Sequence, residues 1–343
     1  MKKLVGRFAK ACEGDLIETF EGVIFDVKGF THPSGRIIAY IRFIPDSKGN
    51  RRRDGLTYRK VYALHERYAI LRSRFPRYLV YDEVFDEELC EVPIKEVKCH
   101  YKPVERLRGL RVSKDLDEIE AKALQFIKML KEEANVSWNK LGISGSILVR
   151  LHKQNSDIDP IVYGSENCRR VHLALSNLMS EGNLVKSYSR EELKQLFNFR
   201  NTKISFEDFI RTESRKVFQG KFMQHDFFVR FVKDWEEMEG VEYGATRYKA
   251  LGYARIKAVV TDDSEAIFTP CNYKINCVEL LEGVNVGPIK EISSFRGRFC
   301  EQARVGEVII AQGKVELVHK ENEDEYYRLL LGNKPSDYMI LKN

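Results

Sequence analysis

Two aspartates, Asp157 and Asp159, share a single residue between them in the stretch GISGSILVRLHKQNSDIDPIVYG, Gly142 to Gly164. On a strand, residues two apart point to the same face, so both carboxylates stand side by side while Ile158 faces the core. Like charges held that close repel, and a divalent cation such as magnesium relieves the cost. A third acid, Asp226, lies in another strand-like run, HDFFV. If that run pairs beside DIDPIVY, three oxygen ligands face one ion, with room for water and phosphate. Ahead of the aspartates come Ser144, Gly145 and Ser146. Glycine lets a backbone approach a phosphate closely, and Ser146 offers a hydroxyl and an amide at the start of the short helical run ILVRLH. Arg150 and Lys153 follow as cations suited to triphosphate, with an ordinary solvated surface as the competing reading.

The elements that must position these groups read as a mixed α+β and α/β chain. Residues 14–45 carry β-branched and aromatic runs around the turn THPSG, which predicts a hairpin. Val61, Leu64, Tyr68 and Leu71 recur at helical spacing within Tyr58–Phe75 and stop at Pro76. A long amphipathic helix is expected from Ser113 as its cap, with Leu116, Ile119, Ala123, Phe126, Ile127 and Leu130 along one stripe. WNKLGI reads as a strand, CRRVHLALSNLM and REELKQLFNF as helices. Ser205 and Asp208 form a capping box for another helix, with Gly220 as its stop. After about residue 250 β-rich runs dominate (YARIKAVVTD, SEAIFTPCNY, CVELLEG, EVIIAQGKVELVHK, EYYRLLLG), and a small barrel or sandwich is expected.

Composition excludes several classes. Hydrophobic residues at 43% and charged residues at 31% of 343 place the chain with globular proteins, and length predicts two or three domains. No apolar run reaches the ~20 residues of a membrane span. The opening MKKLVGRFAKACEGD lacks a signal-peptide core, so a cytoplasmic protein with no membrane partner is expected. Seven scattered cysteines without a C-x-x-C argue for buried free thiols rather than disulfides or zinc. His152 and His225 flank the motif without zinc-site spacing.

Between Arg51 and Arg77 nine basic residues face only two acids, and an acidic stretch follows. Arg51, Arg52, Arg53, Arg59 and Lys60 are therefore candidates for nucleic-acid contact, a helix paired with the acidic run being the alternative. SFRGRF interleaves Arg296 and Arg298 with Phe295 and Phe299, which suits stacking and phosphate contact, or a β-turn between core phenylalanines. Arg211, Arg215 and Lys216 read as a solvated helix face.

Gly-Ser, then Asp-hydrophobic-Asp, then a later strand with one more Asp resembles the nucleotidyltransferase domain of the DNA polymerase beta superfamily, over residues 110–235. The whole chain is similar to an archaeal family of predicted nucleotidyltransferases in which this domain lies between two β-rich flanks. The residue pattern gives an α+β N-terminal domain over 1–107 and a β-rich, barrel-like domain over 249–343, and the resemblance makes the mixed α/β middle, 108–248, a nucleotidyltransferase domain with a mixed sheet and flanking helices. The resemblance further implies that Gly145 and Ser146 hold a nucleoside triphosphate, that Asp157 and Asp159 bind two magnesium ions (manganese being the substitute), and that Asp226 serves as ligand or base. Pro160 departs from the apolar strand residue usual there. The implied reaction is in-line attack of a hydroxyl on the α-phosphate of an NTP or dNTP, expelling pyrophosphate. The acceptor is expected to be RNA or DNA. A small molecule, a protein side chain, or a non-catalytic binding role stay open, as do the base used and the oligomeric state.

Overall fold

The computed structural model describes residues 11–200, 202–321 and 323–342; the first ten residues of the opening stretch read above for an export signal lie outside them. The architecture is mixed α+β, with seven α-helices among the described residues and several sheets. None of those helices is long and apolar enough to cross a membrane. Contacts group the chain into two compact units. One comprises the chain through Tyr81, Glu88–Lys186 and Val217–Val241; the other comprises Asp82–Glu87, Ser187–Lys216 and the chain from Glu242 on.

In the first unit, strands β1 (Leu16–Thr19), β2 (Ile24–Val27), β3 (Arg36–Pro45), β4 (Arg51–Arg53), β5 (Leu56–Lys60), β6 (Leu79–Asp82), β7 (Glu87–Pro93) and β8 (Val97–Tyr101) form an eight-stranded sheet. The expected hairpin is present as β2 on β3. The helix read over Tyr58–Phe75 is shorter, α1 at Leu64–Arg74, because Leu56–Lys60 pairs with β3 and β4 instead. Helix α2 (Pro103–Val112) ends at Ser113, so Ser113 caps no new helix. The long helix α3 (Glu118–Ala134) starts at Asp117, whose side chain accepts from Glu120 N while Glu120 answers in a capping box. Its buried stripe Ile119, Ala123, Phe126, Ile127 and Leu130 is the expected one.

Strand β9 (Leu141–Ile143), the one-turn helix α4 (Gly145–Leu148), strand β10 (Pro160–Tyr163) and helix α5 (Ser165–Glu181) follow. After β11 (Val185–Lys186), helices α6 (Arg190–Arg200) and α7 (Phe206–Glu213) belong to the second unit, and β12 (Gln219–Phe222), β13 (His225–Phe228) and β14 (Arg230–Val232) return to the first. Gly220 therefore sits in a strand and stops no helix; α7 ends at Ser214. β10 lies between β9, antiparallel, and β14, parallel. Phe126 of α3 packs on Phe222 and Phe227, with ring centroids 4.7 and 4.8 Å apart, which fixes the β12–β13 hairpin under the helix.

The contact units do not follow the expected boundary at residue 107, for a packing reason. Leu16, Ile24, Phe43 and Tyr58 of the first sheet share one core with Leu148, Val149 and Leu151, and segments that share a core bury it together. The boundary near 248 shifts as well, because α7 is tied to the C-terminal strands. Lys216 Nζ donates to Glu213, to Arg298 O and to Gln302 Oε1, and Gln302 Nε2 donates to Thr212 Oγ1.

In the second unit the strands are β15 (Thr246–Asp262), β16 (Cys271–Gly283), β17 (Ile289–Ser294), β18 (Val308–Lys320), β19 (Tyr326–Leu330) and β20 (Tyr338–Leu341). Pairing runs β15–β16–β17–β19–β18 and returns from β18 to β15, with β17 and β19 parallel and β20 on β18. SEAIFTP is a connection and not a strand. β15 is far longer than the run expected from YARIKAVVTD; a register shift between Ala250 and Gly252, where Gly252 has φ of 133°, bends it along the sheet.

Candidate active site

The backbone sets the site before any side chain acts. Ser144 N donates to Asp159 O at 2.9 Å, which lays the end of β9 against the start of β10. Gly145 has φ of 62°, and a β-carbon there would lie 1.8 Å from Asp159 Oδ2. Glycine is thus required twice, for the left-handed backbone and for the close carboxylate. Gly145→Ala should cost on the order of 2 kcal/mol of unfolding free energy, read as a lowered urea midpoint. An unchanged midpoint would show that Asp159 is not held against this turn.

Ile158 forms a parallel bridge with Phe227, with Ile158 N donating to Asp226 O at 2.8 Å and Phe228 N to Ile158 O at 3.0 Å. The strand carrying Asp226 therefore lies beside DIDPIVY. Ile158 and Phe227 are buried on one side. Strand alternation puts Asp157, Asp159 and Asp226 on the other. Asp157 is exposed and Asp159 partly buried. Burial and the neighbouring Asp157 push the Asp159 carboxyl up to about 6, opposed by Lys60, Arg42 and Arg230. A carboxyl held back from ionising by burial and by a neighbouring carboxylate is a donor suited to a divalent cation.

The three acids are not gathered tightly. Asp226 pairs with Lys221, its partner across the hairpin, at 3.0 Å. Among the described residues only Asp117, Glu120 and His152 bring three ligand atoms within 4.8 Å of one another. That cluster is structural: Asp117 caps α3 and holds His152 Nε2 at 2.7 Å, and Glu120 pairs with Arg106. His225 lies against the Lys122 ammonium, 3.0 Å away, and burial followed by that charge lowers its pKa.

The carboxylate face looks toward the N-terminal sheet. Ile161 and Arg230 pair one step further along the same two strands, and a β-carbon on Gly14 would lie 2.2 Å from Ile161 Cδ1. Ser144 Oγ donates to Gly14 O at 2.8 Å, so this hydroxyl fastens the two segments. Ser146 is buried. Arg230 reaches Glu13 at 2.9 Å and Asp26 at 3.6 Å, and Lys28 reaches the same two acids at 2.8 and 3.1 Å. Burial raises the Asp26 carboxyl, but the charges of Lys28 and Arg230 outweigh it and hold that carboxyl below the usual carboxylate range.

Strand alternation divides the arginine run. Arg53 donates to Glu18 at 2.7 Å, Tyr58 Oη at 3.2 Å, and Tyr101 Oη and Val149 O at 3.3 Å. Arg51 bonds Leu151 O and Ser156 Oγ, which seats the β4–β5 hairpin on the segment just before Asp157. Arg59 pairs with Asp46 at 3.0 Å and with Glu66, Arg72 with Glu88 at 2.6 Å, and Arg77 with Glu21. Arg52, between the two inward arginines, is exposed. Arg53→Ala should destabilise the protein by about 3 kcal/mol, because Glu18 stays buried and loses its nearest cation. Urea unfolding checks this, and a loss below about 1 kcal/mol would assign Arg53 to the surface ion pairs.

Arg150 is exposed, with φ of 55°, and Lys153 is partly buried, its amide donating to Ser156 Oγ at 2.8 Å. Arg296 and Arg298 lie in the second unit. Arg296 Nη1 donates to Gly332 O at 3.4 Å, Arg298 lies 4.9 Å from the Phe299 ring centroid, and burial and Arg200 lower the Arg298 pKa. SFRGRF is thus a turn on the buried Phe299. Arg211, Arg215 and Lys216 have partners within that unit, and Lys216 is buried rather than solvated. Sequence reasoning missed Arg42, Arg230, Glu13 and Asp26. For Arg42 and Arg230 the available signal was a charged residue set between apolar neighbours in RIIAYIRFIP and FFVRFV.

The uncharacterized protein MJ1086 of Methanocaldococcus jannaschii is 32% identical over 328 residues, covering 93% of this chain and 94% of that protein. This chain belongs to the MJ1086 family. No family model and no solved structure matches it. In this member of the MJ1086 family, then, the reading of the site stands on the geometry above.

Proposed function

We propose that this protein is a magnesium-dependent nucleotidyltransferase that moves a nucleoside monophosphate from an NTP or dNTP to a hydroxyl and releases pyrophosphate. The observation that supports it is the Ile158–Phe227 bridge, which puts Asp157, Asp159 and Asp226 on one face although they come from two distant strands. Asp157 and Asp159 would hold the metal, which supplies positive charge to the phosphate being transferred. The attacking hydroxyl forms a bond to the α-phosphorus as the bond to the bridging oxygen breaks and pyrophosphate leaves. The hydroxyl proton goes to Asp226, directly or through water, once Lys221 yields its carboxylate. The seven free cysteines suit a reducing, cytoplasmic setting.

RNA or DNA is the acceptor in the first version of this reading. The internal pairing of Arg51, Arg53 and Arg59 favours a second, transfer to a small molecule or a protein side chain, because it removes much of the free basic charge a polynucleotide would meet. Labelled triphosphates, four ribo- and four deoxy-, offered with magnesium to RNA, single-stranded DNA, gapped duplex and the protein alone, test both versions. Label entering a polynucleotide, falling steeply with salt, supports the first; label on protein or on small molecules from an extract supports the second. No transfer to any acceptor would leave a binding protein.

A further inference from the structure

Two cations of the N-terminal sheet differ from the paired arginines Arg51, Arg53 and Arg59 beside them. Arg42 on β3 and Lys60 on β5 are neighbours across the sheet: Lys60 pairs with Phe43, and Val61 N donates to Arg42 O at 2.9 Å. Both lie against Tyr62, with Lys60 Nζ 4.7 Å and Arg42 Cζ 5.9 Å from its ring centroid. Both are partly buried. Arg51 and Arg53 on β4 and Arg59 on β5 each bond an acceptor, whereas neither Arg42 nor Lys60 forms an ion pair among the described residues. Two like charges, partly withdrawn from water, with no carboxylate at ion-pair distance among the described residues and only the longer-range charges of Asp26, Asp157 and Asp159 to balance them, cost free energy that a bound anion would offset. They also act on the acids: the charges of Lys60 and Arg42 hold the Asp159 carboxyl down against burial and Asp157. The site therefore presents carboxylates on one side and unpaired cations on the other. A metal-bound triphosphate has the matching order of charge.

Resting on the nucleotidyl-transfer reading, we propose that Arg42 and Lys60 hold the β- and γ-phosphates of the nucleoside triphosphate, and hence the leaving pyrophosphate. In this arrangement the N-terminal sheet positions the leaving group and the central strands carry the metal. A guanidinium and an ammonium over one aromatic ring are held in place by that ring, so little further ordering accompanies phosphate binding. Arg51, seated on Leu151 O and Ser156 Oγ, keeps the strands that carry them in register with Asp157.

Calorimetric titration of the full chain with a nucleoside triphosphate, a nucleoside monophosphate and inorganic pyrophosphate, all with magnesium, tests the assignment. Arg42→Ala and Lys60→Ala should each weaken triphosphate and pyrophosphate binding by about tenfold, the loss of one charge-assisted contact, and leave monophosphate binding within about twofold. Arg42→Lys should recover part of the affinity. Equal loss for all three ligands would mean a structural role and overturn the assignment. Unchanged triphosphate binding in the double variant would overturn it as well, yet leave nucleotidyl transfer intact if label still moves and Asp157→Asn stops it. A parent protein that binds neither triphosphate nor pyrophosphate would overturn it outright.

Discussion

Asp157→Asn and Asp159→Asn should each lower nucleotide transfer by on the order of 10³-fold, the several kcal/mol that a metal's charge contributes to a phosphoryl transition state. Asparagine keeps the shape of the side chain and removes its charge, so a folded but inactive protein is the expected result. Asp226→Asn should cost less than either, because its carboxylate is shared with Lys221 and the cation set by the other two acids remains. Initial rates of labelled product, taken at saturating triphosphate with magnesium, separate the three variants. Transfer that survives in both Asp157→Asn and Asp159→Asn would remove this face from the chemistry, whatever the fate of Asp226.

The same Asp159 substitution should raise stability in the absence of metal. Burial and Asp157 raise the folded-state pKa of Asp159 from an ordinary 3.8 to about 6. A raised acid binds its proton more tightly folded than unfolded. Its contribution is therefore fully present below about pH 3.8 and is lost as pH rises through about 6. At pH 7 the ionised carboxylate works against folding by on the order of 2 kcal/mol, after allowance for its partial exposure. Asp159→Asn removes that cost, so with a chelator present its melting temperature at pH 7 should exceed the parent's by several degrees, on the order of 2–4 °C for each kcal/mol. Near pH 4 the two proteins should melt together. Magnesium should raise the parent and leave the variant nearly unmoved, since binding to the folded state alone stabilises by mass action. Equal melting at pH 7 without metal would show that Asp159 is not held against Asp157 and the protein interior.

How much of this was legible in the chain varies by residue. The stripe of α3 was readable because helical spacing of apolar residues is local, but its start was misplaced. Ser113 looks like a cap, yet α2 ends there, and the reciprocal Asp117–Glu120 pair four residues later was the stronger signal. Strand β5 was read as helix because Val61, Leu64, Tyr68 and Leu71 continue a helical period into it. Pairing of Arg51 with Tyr58 and Phe43 with Lys60 overrides that preference. Arg51, Arg52 and Arg53 looked like one basic patch, but alternation along β4 turns the outer two inward and leaves only the middle one to solvent.

By itself the sequence determined that Asp157 and Asp159 stand on one side of a strand, that Gly145 opens a turn ahead of them, and that the chain mixes helices with β-rich ends. Those features follow from periods of two and 3.6 residues and from backbone preferences, which act over a few positions. Only the tertiary structure decided that Asp226 joins that face, that Lys221 pairs with it, and that Arg42 and Lys60 act on it without ion pairs of their own among the described residues. Each of those depends on strand register between distant segments and on the core that Phe43 and Tyr58 share with Leu148 and Leu151. Such partners are chosen by burial and by hydrogen bonds that close only in the folded chain, so no local pattern announces them.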